Sequence, residues 1–69
     1  MYIFRIEKKD ELLNGRKVKW IAEKLNITPE NLYLVLSGKK HCTRIFAFGI
    51  LSLLGYGLDD INIYFYEEI

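Results

Sequence analysis

Residues Ile21 to Gly38, IAEKLNITPENLYLVLSG, predict two short amphipathic helices joined by a three-residue turn. In the first half, the apolar side chains of Ile21, Ala22 and Leu25 recur at helical spacing and therefore share one face. Asn26 comes next, and asparagine tolerates the left-handed backbone conformation with which a helix ends at a sharp turn. We therefore expect the first of the two helices to end at Asn26.

The second half of this stretch carries a compact signal for a helix start. Thr28-Pro29-Glu30 supplies a hydroxyl at the N-cap, a proline at the first helical position and a carboxylate near the positive end of the helix dipole. The apolar face continues at Leu32, Val35 and Leu36, and Gly38 ends the helix. Together the two halves predict a helix-turn-helix.

The rest of the chain predicts a mainly α fold. We expect one compact helix-turn-helix domain over residues 1–69, with four to five short helices and a short terminal pair of β-strands at residues 2–6 and 61–67. The predicted helices are Lys8–Leu13, ended by Asn14-Gly15; Lys17–Leu25 and Pro29–Ser37, which form the helix-turn-helix at about residues 17–38; and a fourth helix that begins after the N-cap Thr43 and ends before Gly55.

The last segment of the chain fits two patterns. Leu58, Ile61 and Phe65 have the spacing of a short helix, whereas Ile61, Ile63 and Phe65 alternate with polar and tyrosine side chains as in a strand. β-Propensity favours the strand over residues 61–67. Its expected partner is the strand at residues 2–6, from the same chain or from a second one, because an unpaired aromatic strand promotes aggregation.

Length and composition limit the possible functions. At 69 residues and 51% hydrophobic, the chain has more apolar surface than one small core needs, so we expect a homodimer or a protein partner. The single histidine and single cysteine, His41 and Cys42, are too few for a metal site or a catalytic centre, so we expect no enzyme activity, no metal and no cofactor.

Hydropathy and cysteine usage indicate where the protein works. The apolar run at residues 45–58 is shorter than the roughly 20 residues that cross a bilayer. The lone cysteine fits a reducing compartment. We therefore expect a cytoplasmic protein of a bacterial or phage-infected cell, with no membrane contact and no small-molecule substrate.

Charge is unevenly distributed along the chain. Residues 1–44 contain all ten basic residues and five acidic ones, a net charge of +5, whereas residues 45–69 contain four acidic residues and no basic one. The helix-turn-helix lies in the basic part, which favours a polyanionic partner. The alternative is a solvated basic face without a binding role.

The helix-turn-helix and its surroundings resemble the Cro and phage-repressor family. The matching residues are Gly15 before the second helix, Ile21-Ala22-Glu23-Lys24-Leu25, the turn Asn26-Ile27-Thr28, Leu32, Val35, Ser37-Gly38-Lys39-Lys40, Leu51-Ser52-Leu53-Leu54-Gly55, and Leu58-Asp59-Asp60-Ile61 at the start of a fifth helix. The two terminal strands make the chain more similar to the small Cro members than to the all-helical repressor domains.

The resemblance implies that the third helix enters the major groove of operator DNA while the second helix crosses the backbone. The base-facing positions that it implies are Pro29, Glu30, Asn31, Tyr33 and Leu34, and the phosphate-contact candidates are Lys17, Lys19, Lys39, Lys40 and Arg44. Asn31 would pair with adenine, Glu30 would accept from cytosine, and Tyr33 would contact a phosphate or a thymine methyl group. Alternatively, Asn31 is an ordinary polar residue of a first helical turn.

Three departures from the family pattern leave a second function open. Val18 replaces a glutamine that often contacts the DNA backbone, Leu34 replaces a frequent basic residue, and Glu30 places a negative charge where phosphates approach. These changes weaken electrostatic DNA binding. The alternative to a DNA-binding regulator is an antirepressor of the same fold, which binds a partner repressor's basic DNA-binding domain and blocks operator binding.

Overall fold

The computed structural model describes residues 1–68, in which short helices pack with a two-stranded antiparallel sheet. In chain order the elements are β1 (Tyr2–Phe4), a 3-10 turn (Ile6–Lys8), α1 (Lys9–Leu13), α2 (Val18–Leu25), α3 (Pro29–Leu36), α4 (Arg44–Leu53), a second 3-10 turn (Leu58–Asp60), α5 (Ile61–Tyr64) and β2 (Phe65–Glu67). The predicted mainly α fold with a terminal strand pair is confirmed.

The turn between α2 and α3 has the predicted backbone geometry. Asn26 ends α2 in the left-handed conformation, with φ of 58° and ψ of 45°. The backbone N–H of Ile27 then donates to the carbonyl of Ala22 at 3.0 Å, which closes the end of α2. On the other side, the Thr28 hydroxyl accepts from the backbone N–H of Asn31 at 3.3 Å and caps α3. At the end of α2 and at the start of α3, these backbone groups thus find hydrogen-bond partners close in sequence.

The core lies between the inward faces of the first four helices and the sheet. Its largest fully buried side chains are Phe4, Leu12, Ile21, Leu32, Leu36, Ile50, Leu51 and Phe65. Full burial of one such side chain contributes about 1.5–3 kcal/mol to the free energy of folding. The start of α4 is fixed by the Thr43 hydroxyl, which accepts from the backbone N–H of Phe46 at 3.1 Å.

The sheet joins the two ends of the described chain. Tyr2 pairs with Glu67, Ile3 with Tyr66 and Phe4 with Phe65 in antiparallel register. The rings of Phe4 and Phe65 meet edge to face, with centroids 5.3 Å apart and planes at 68°. On its other edge, β1 forms a single bridge in which Tyr2 and Cys42 exchange backbone hydrogen bonds of 2.8 and 2.9 Å.

Both predicted strands are shorter than the sequence indicates. The expected strand at residues 61–67 is wrong in its first half, because α5 occupies residues 61–64 and only Phe65–Glu67 is extended. Within this half, Ile61 and Tyr64 are buried three residues apart, as on one face of a helix, so packing on the core favours the helix over the strand. The strand at residues 2–6 ends at Phe4, and Ile6 is exposed in the 3-10 turn that follows.

The start of this last segment is fixed by a local contact. Asp60 accepts a hydrogen bond from the backbone N–H of Gly57 at 3.1 Å, which caps the 3-10 turn leading into α5. Because this contact starts a helical turn, the chain continues directly into α5. The remaining boundaries, for the helices predicted at residues 8–13, 17–25 and 29–37, differ by one residue from α1, α2 and α3.

Candidate functional site

The outer face of α3 is open to solvent because its inner face is fixed in the core. Leu32, Val35 and Leu36 are buried on the inner face. Of the five predicted base-facing residues, Pro29 is half-buried and the other four are exposed, namely Glu30, Asn31, Tyr33 and Leu34. The exposed fraction is 53% for Tyr33 and 43% for Leu34. The structure therefore brings four of the five together on one accessible helix.

Asn31 is not free on this face. The Lys40 ammonium donates a hydrogen bond of 3.0 Å to the amide oxygen of Asn31. Lys40 reaches this position because Gly38, with φ of 76°, turns the chain back after α3, and because the backbone N–H of Lys40 donates to the Leu34 carbonyl at 3.1 Å. A side chain predicted to contact bases and one predicted to contact phosphate thus contact each other.

Tyr33 has a cation partner that sequence reasoning missed. The Lys9 ammonium lies 5.6 Å from the centroid of the Tyr33 ring, within the range of a cation–π contact. Lys9 begins α1 and is 24 positions away in the chain, so no periodicity links it to α3. Only the packing of α1 brings Lys9 to the outer face of α3.

The five phosphate-contact candidates are all exposed. Lys17 caps the start of α2 and Lys19 lies in its first turn, whereas Lys39, Lys40 and Arg44 lie between the end of α3 and the start of α4. None of the five forms an ion pair within residues 1–68. The Arg44 guanidinium stands 5.8 Å from the centroid of the Tyr2 ring. Their charges are therefore available to an anionic partner.

Helix α3 itself has no positively charged side chain. Glu30, the only charged side chain of α3, lies in the first turn, where the helix dipole favours a carboxylate. Electrostatic attraction for a polyanion therefore comes from residues around α3, including Lys9 and Lys40, and not from α3 itself. The exposed apolar side chains of Tyr33 and Leu34 lie on this same helix.

His41 and Cys42 have different surroundings. The His41 imidazole pairs with the Glu68 carboxylate at 2.9 Å, while Cys42 is buried next to β1. Burial raises the pKa of the Cys42 thiol to about 11, so the thiol stays protonated at neutral pH. Within residues 1–68 no cluster of three or more His, Cys, Asp or Glu side chains could hold a metal ion.

Two open cavities border α3. One of about 210 Å³ lies between α3 and the start of α4, where Asn31 and Lys40 line it together with the apolar side chains of Val35 and Phe46. The other, of about 270 Å³, lies between the end of α3 and β1 and is lined in part by Ile6. Both are shallow features of the surface around α3.

In the described part of the chain, no single helix is long and apolar enough to cross a membrane, although Arg44–Leu53 and Leu58–Tyr64 reach that length and composition as a pair bent by 119°. No family model, curated protein or solved structure matches this chain. Its function therefore has to be argued from its own site.

Proposed function

We propose that this chain is a small transcriptional regulator of a phage or mobile element, of the Cro type, which binds operator DNA as a homodimer with α3 in the major groove. It would act in the cytoplasm, where that DNA is found. The observation that carries the proposal is the open outer face of α3, whose inner face is buried in the core. A helix with an exposed outer face fits the width of the major groove.

The charges around the motif support the same function. Lys17 and Lys19 are at the start of α2, and Lys39 and Arg44 follow α3, all without an acidic partner within residues 1–68. In a helix-turn-helix the first helix crosses the DNA backbone, and here that helix is α2, which has Lys17 and Lys19 at its start. We assign these four side chains to phosphates, and Glu30 to the N4 amino group of cytosine.

A homodimer fits the apolar surface that the fold leaves open. Ile45 in the first turn of α4 is 82% exposed, and the neighbouring Phe46 and Phe48 are only half-buried. Surface of this kind favours association of two copies, and a dimer would bind two half-sites about one helical turn of DNA apart. Sedimentation equilibrium of the purified protein measures this association directly.

A titration with DNA tests the proposal. Fluorescence anisotropy with a labelled duplex from the region upstream of its own gene, at 50 to 200 mM salt, gives the affinity and its salt dependence. Lys17→Ala should weaken binding to all sequences and lower the slope of log affinity against log salt by about 1. Lys8→Ala is the matched control, because Lys8 pairs with Glu11 at 3.6 Å and is assigned no phosphate.

Absence of binding at the lowest salt would exclude DNA binding as the function. If Lys17→Ala and Lys8→Ala have the same slope of log affinity against log salt, only the assignment of Lys17 to a phosphate is excluded. Circular dichroism of both variants shows whether they keep the fold, so that unfolding is excluded as the cause of weaker binding.

The antirepressor function is the second candidate, and one observation favours it. Tyr33 and Leu34 expose apolar surface beside the carboxylate of Glu30, a combination suited to a basic protein surface. Leu34→Lys separates the two functions. In a DNA-binding protein the added charge should strengthen binding to duplex DNA, whereas in an antirepressor it should abolish release of a co-encoded repressor from its operator.

A further inference from the structure

The contact between Asn31 and Lys40 fixes the orientation of the Asn31 side-chain amide on the outer face of α3. An ammonium group has donors only, so the atom of Asn31 that lies 3.0 Å from it must be the amide oxygen. The NH2 group of Asn31 therefore occupies the other position. No other orientation of the amide satisfies this hydrogen bond.

Two backbone contacts hold the partners of this hydrogen bond in place. The backbone N–H of Asn31 donates to the Thr28 hydroxyl at 3.3 Å, which fixes Asn31 in the first turn of α3. The backbone N–H of Lys40 donates to the Leu34 carbonyl at 3.1 Å, which fixes the loop against the same helix. The contact therefore connects two anchored segments.

The pair offers a ligand mainly donors. Lys40 occupies one acceptor position of the amide oxygen, which leaves a second acceptor position beside the ammonium, the two N–H groups of Asn31 and the two remaining N–H groups of Lys40. In the major groove, guanine presents two acceptors, O6 and N7, whereas adenine presents one acceptor and one amino donor. The ammonium beside the amide oxygen also repels the amino group of adenine.

We propose that Asn31 and Lys40 act as one unit that selects guanine, and that Lys40 determines specificity instead of contacting phosphate. This inference rests on the proposed DNA-binding function. It replaces the adenine contact that the sequence predicts for Asn31 alone, and it moves Lys40 from the backbone contacts to the base contacts.

Selection from a random pool of duplexes tests the assignment. The wild-type protein should enrich guanine at one position of each half-site, by about tenfold over adenine. Lys40→Ala frees the amide oxygen of Asn31, so the preference at that position should change from guanine towards adenine. Asn31→Ala should weaken the preference for guanine, because it removes the donors on α3.

The adjacent lysine provides a matched control. Lys39 carries the same charge and also follows α3, but among residues 1–68 its side chain forms no hydrogen bond with Asn31. Lys39→Ala should weaken binding to every duplex and leave the preferred base unchanged. Enrichment of adenine by the wild-type protein, or an unchanged guanine preference in Lys40→Ala, would overturn the inference.

A measurement without DNA separates this inference from the proposed function. In the free protein, Lys40→Ala should shift the side-chain NH2 resonances of Asn31 in a nitrogen-proton correlation spectrum, and Lys39→Ala should leave them in place. An unchanged Asn31 signal in Lys40→Ala would overturn the paired unit even when DNA binds. Failure of the wild-type protein to enrich any sequence would instead remove the DNA-binding function, and the guanine assignment with it.

Discussion

The helix-turn-helix and the terminal sheet are stabilised in different ways. From α2 to α3, the turn is set by hydrogen bonds between residues a few positions apart, such as the Thr28 cap and the closure from Ile27 to Ala22. The sheet instead joins β1 to β2 across almost the whole described chain, and its fully buried aromatic pair is Phe4 and Phe65. Local contacts thus set the turn between α2 and α3, whereas distant contacts join the two ends of the described chain.

The largest effect is expected in the sheet. Phe65→Ala removes a fully buried ring and its edge-to-face contact with Phe4, and should lower the free energy of unfolding by about 3–5 kcal/mol. Urea denaturation followed by circular dichroism measures this loss. Tyr66→Ala, one position on and exposed, is the control and should cost far less. Equal losses would contradict the burial of Phe65.

The next effect compares the two faces of α3. Leu32→Ala removes a fully buried side chain and should cost about 2–5 kcal/mol, whereas Leu34→Ala on the outer face should change the free energy of unfolding by about 0.5 kcal/mol or less. The same denaturation experiment measures both. A large loss in Leu34→Ala would mean that the outer face is not open.

A smaller effect is expected at the local contacts. Thr28→Ala removes the hydroxyl that accepts from the backbone N–H of Asn31, and should cost about 1 kcal/mol in free energy of unfolding. Thr28→Ser keeps the hydroxyl and is the control. Thermal unfolding of the two variants compares them, and a loss in Thr28→Ser as large as in Thr28→Ala would rule out capping as the cause.

The last effect depends on pH and lies where the loop after α3 meets the sheet. Burial raises the pKa of the Cys42 thiol from 9.0 to about 11, so above pH 9 the unfolded chain loses this proton before the folded chain does. The free energy of unfolding should therefore fall between pH 9 and about 11. Denaturation at pH 8 to 10.5 should show a shallower fall for Cys42→Ala, and identical slopes would place the thiol in contact with solvent.

The sequence predicts the ends of the helices well because the signals that set them are local. The N-caps Thr28 and Thr43 and the left-handed Asn26 each act on neighbouring backbone groups, so no knowledge of the tertiary fold is needed. For the last segment, both patterns run through Ile61 and Phe65, and local propensity favours the strand. Burial of Tyr64 on the core decides between them, and a sequence does not reveal that contact.

The candidate site was predictable only in part. Helical spacing correctly puts Leu32, Val35 and Leu36 on the buried face of α3. Of the five outer positions that the family resemblance implies, four are exposed, namely Glu30, Asn31, Tyr33 and Leu34. The contacts of Lys40 with Asn31 and of Lys9 with Tyr33 depend instead on the path of a loop and on the packing of α1. Spacing therefore identifies which residues are exposed, but not how their polar groups are paired.

The register of β1 with β2 also bears on how the chain folds. Pairing Phe4 with Phe65 closes a loop of about sixty residues, and the entropy of closing a flexible loop grows with its length. The turn from α2 to α3 involves only neighbouring residues and forms without that cost. We expect the helices to assemble early and the strands to join last, so that amide protons of the sheet exchange with solvent before those of α2 and α3.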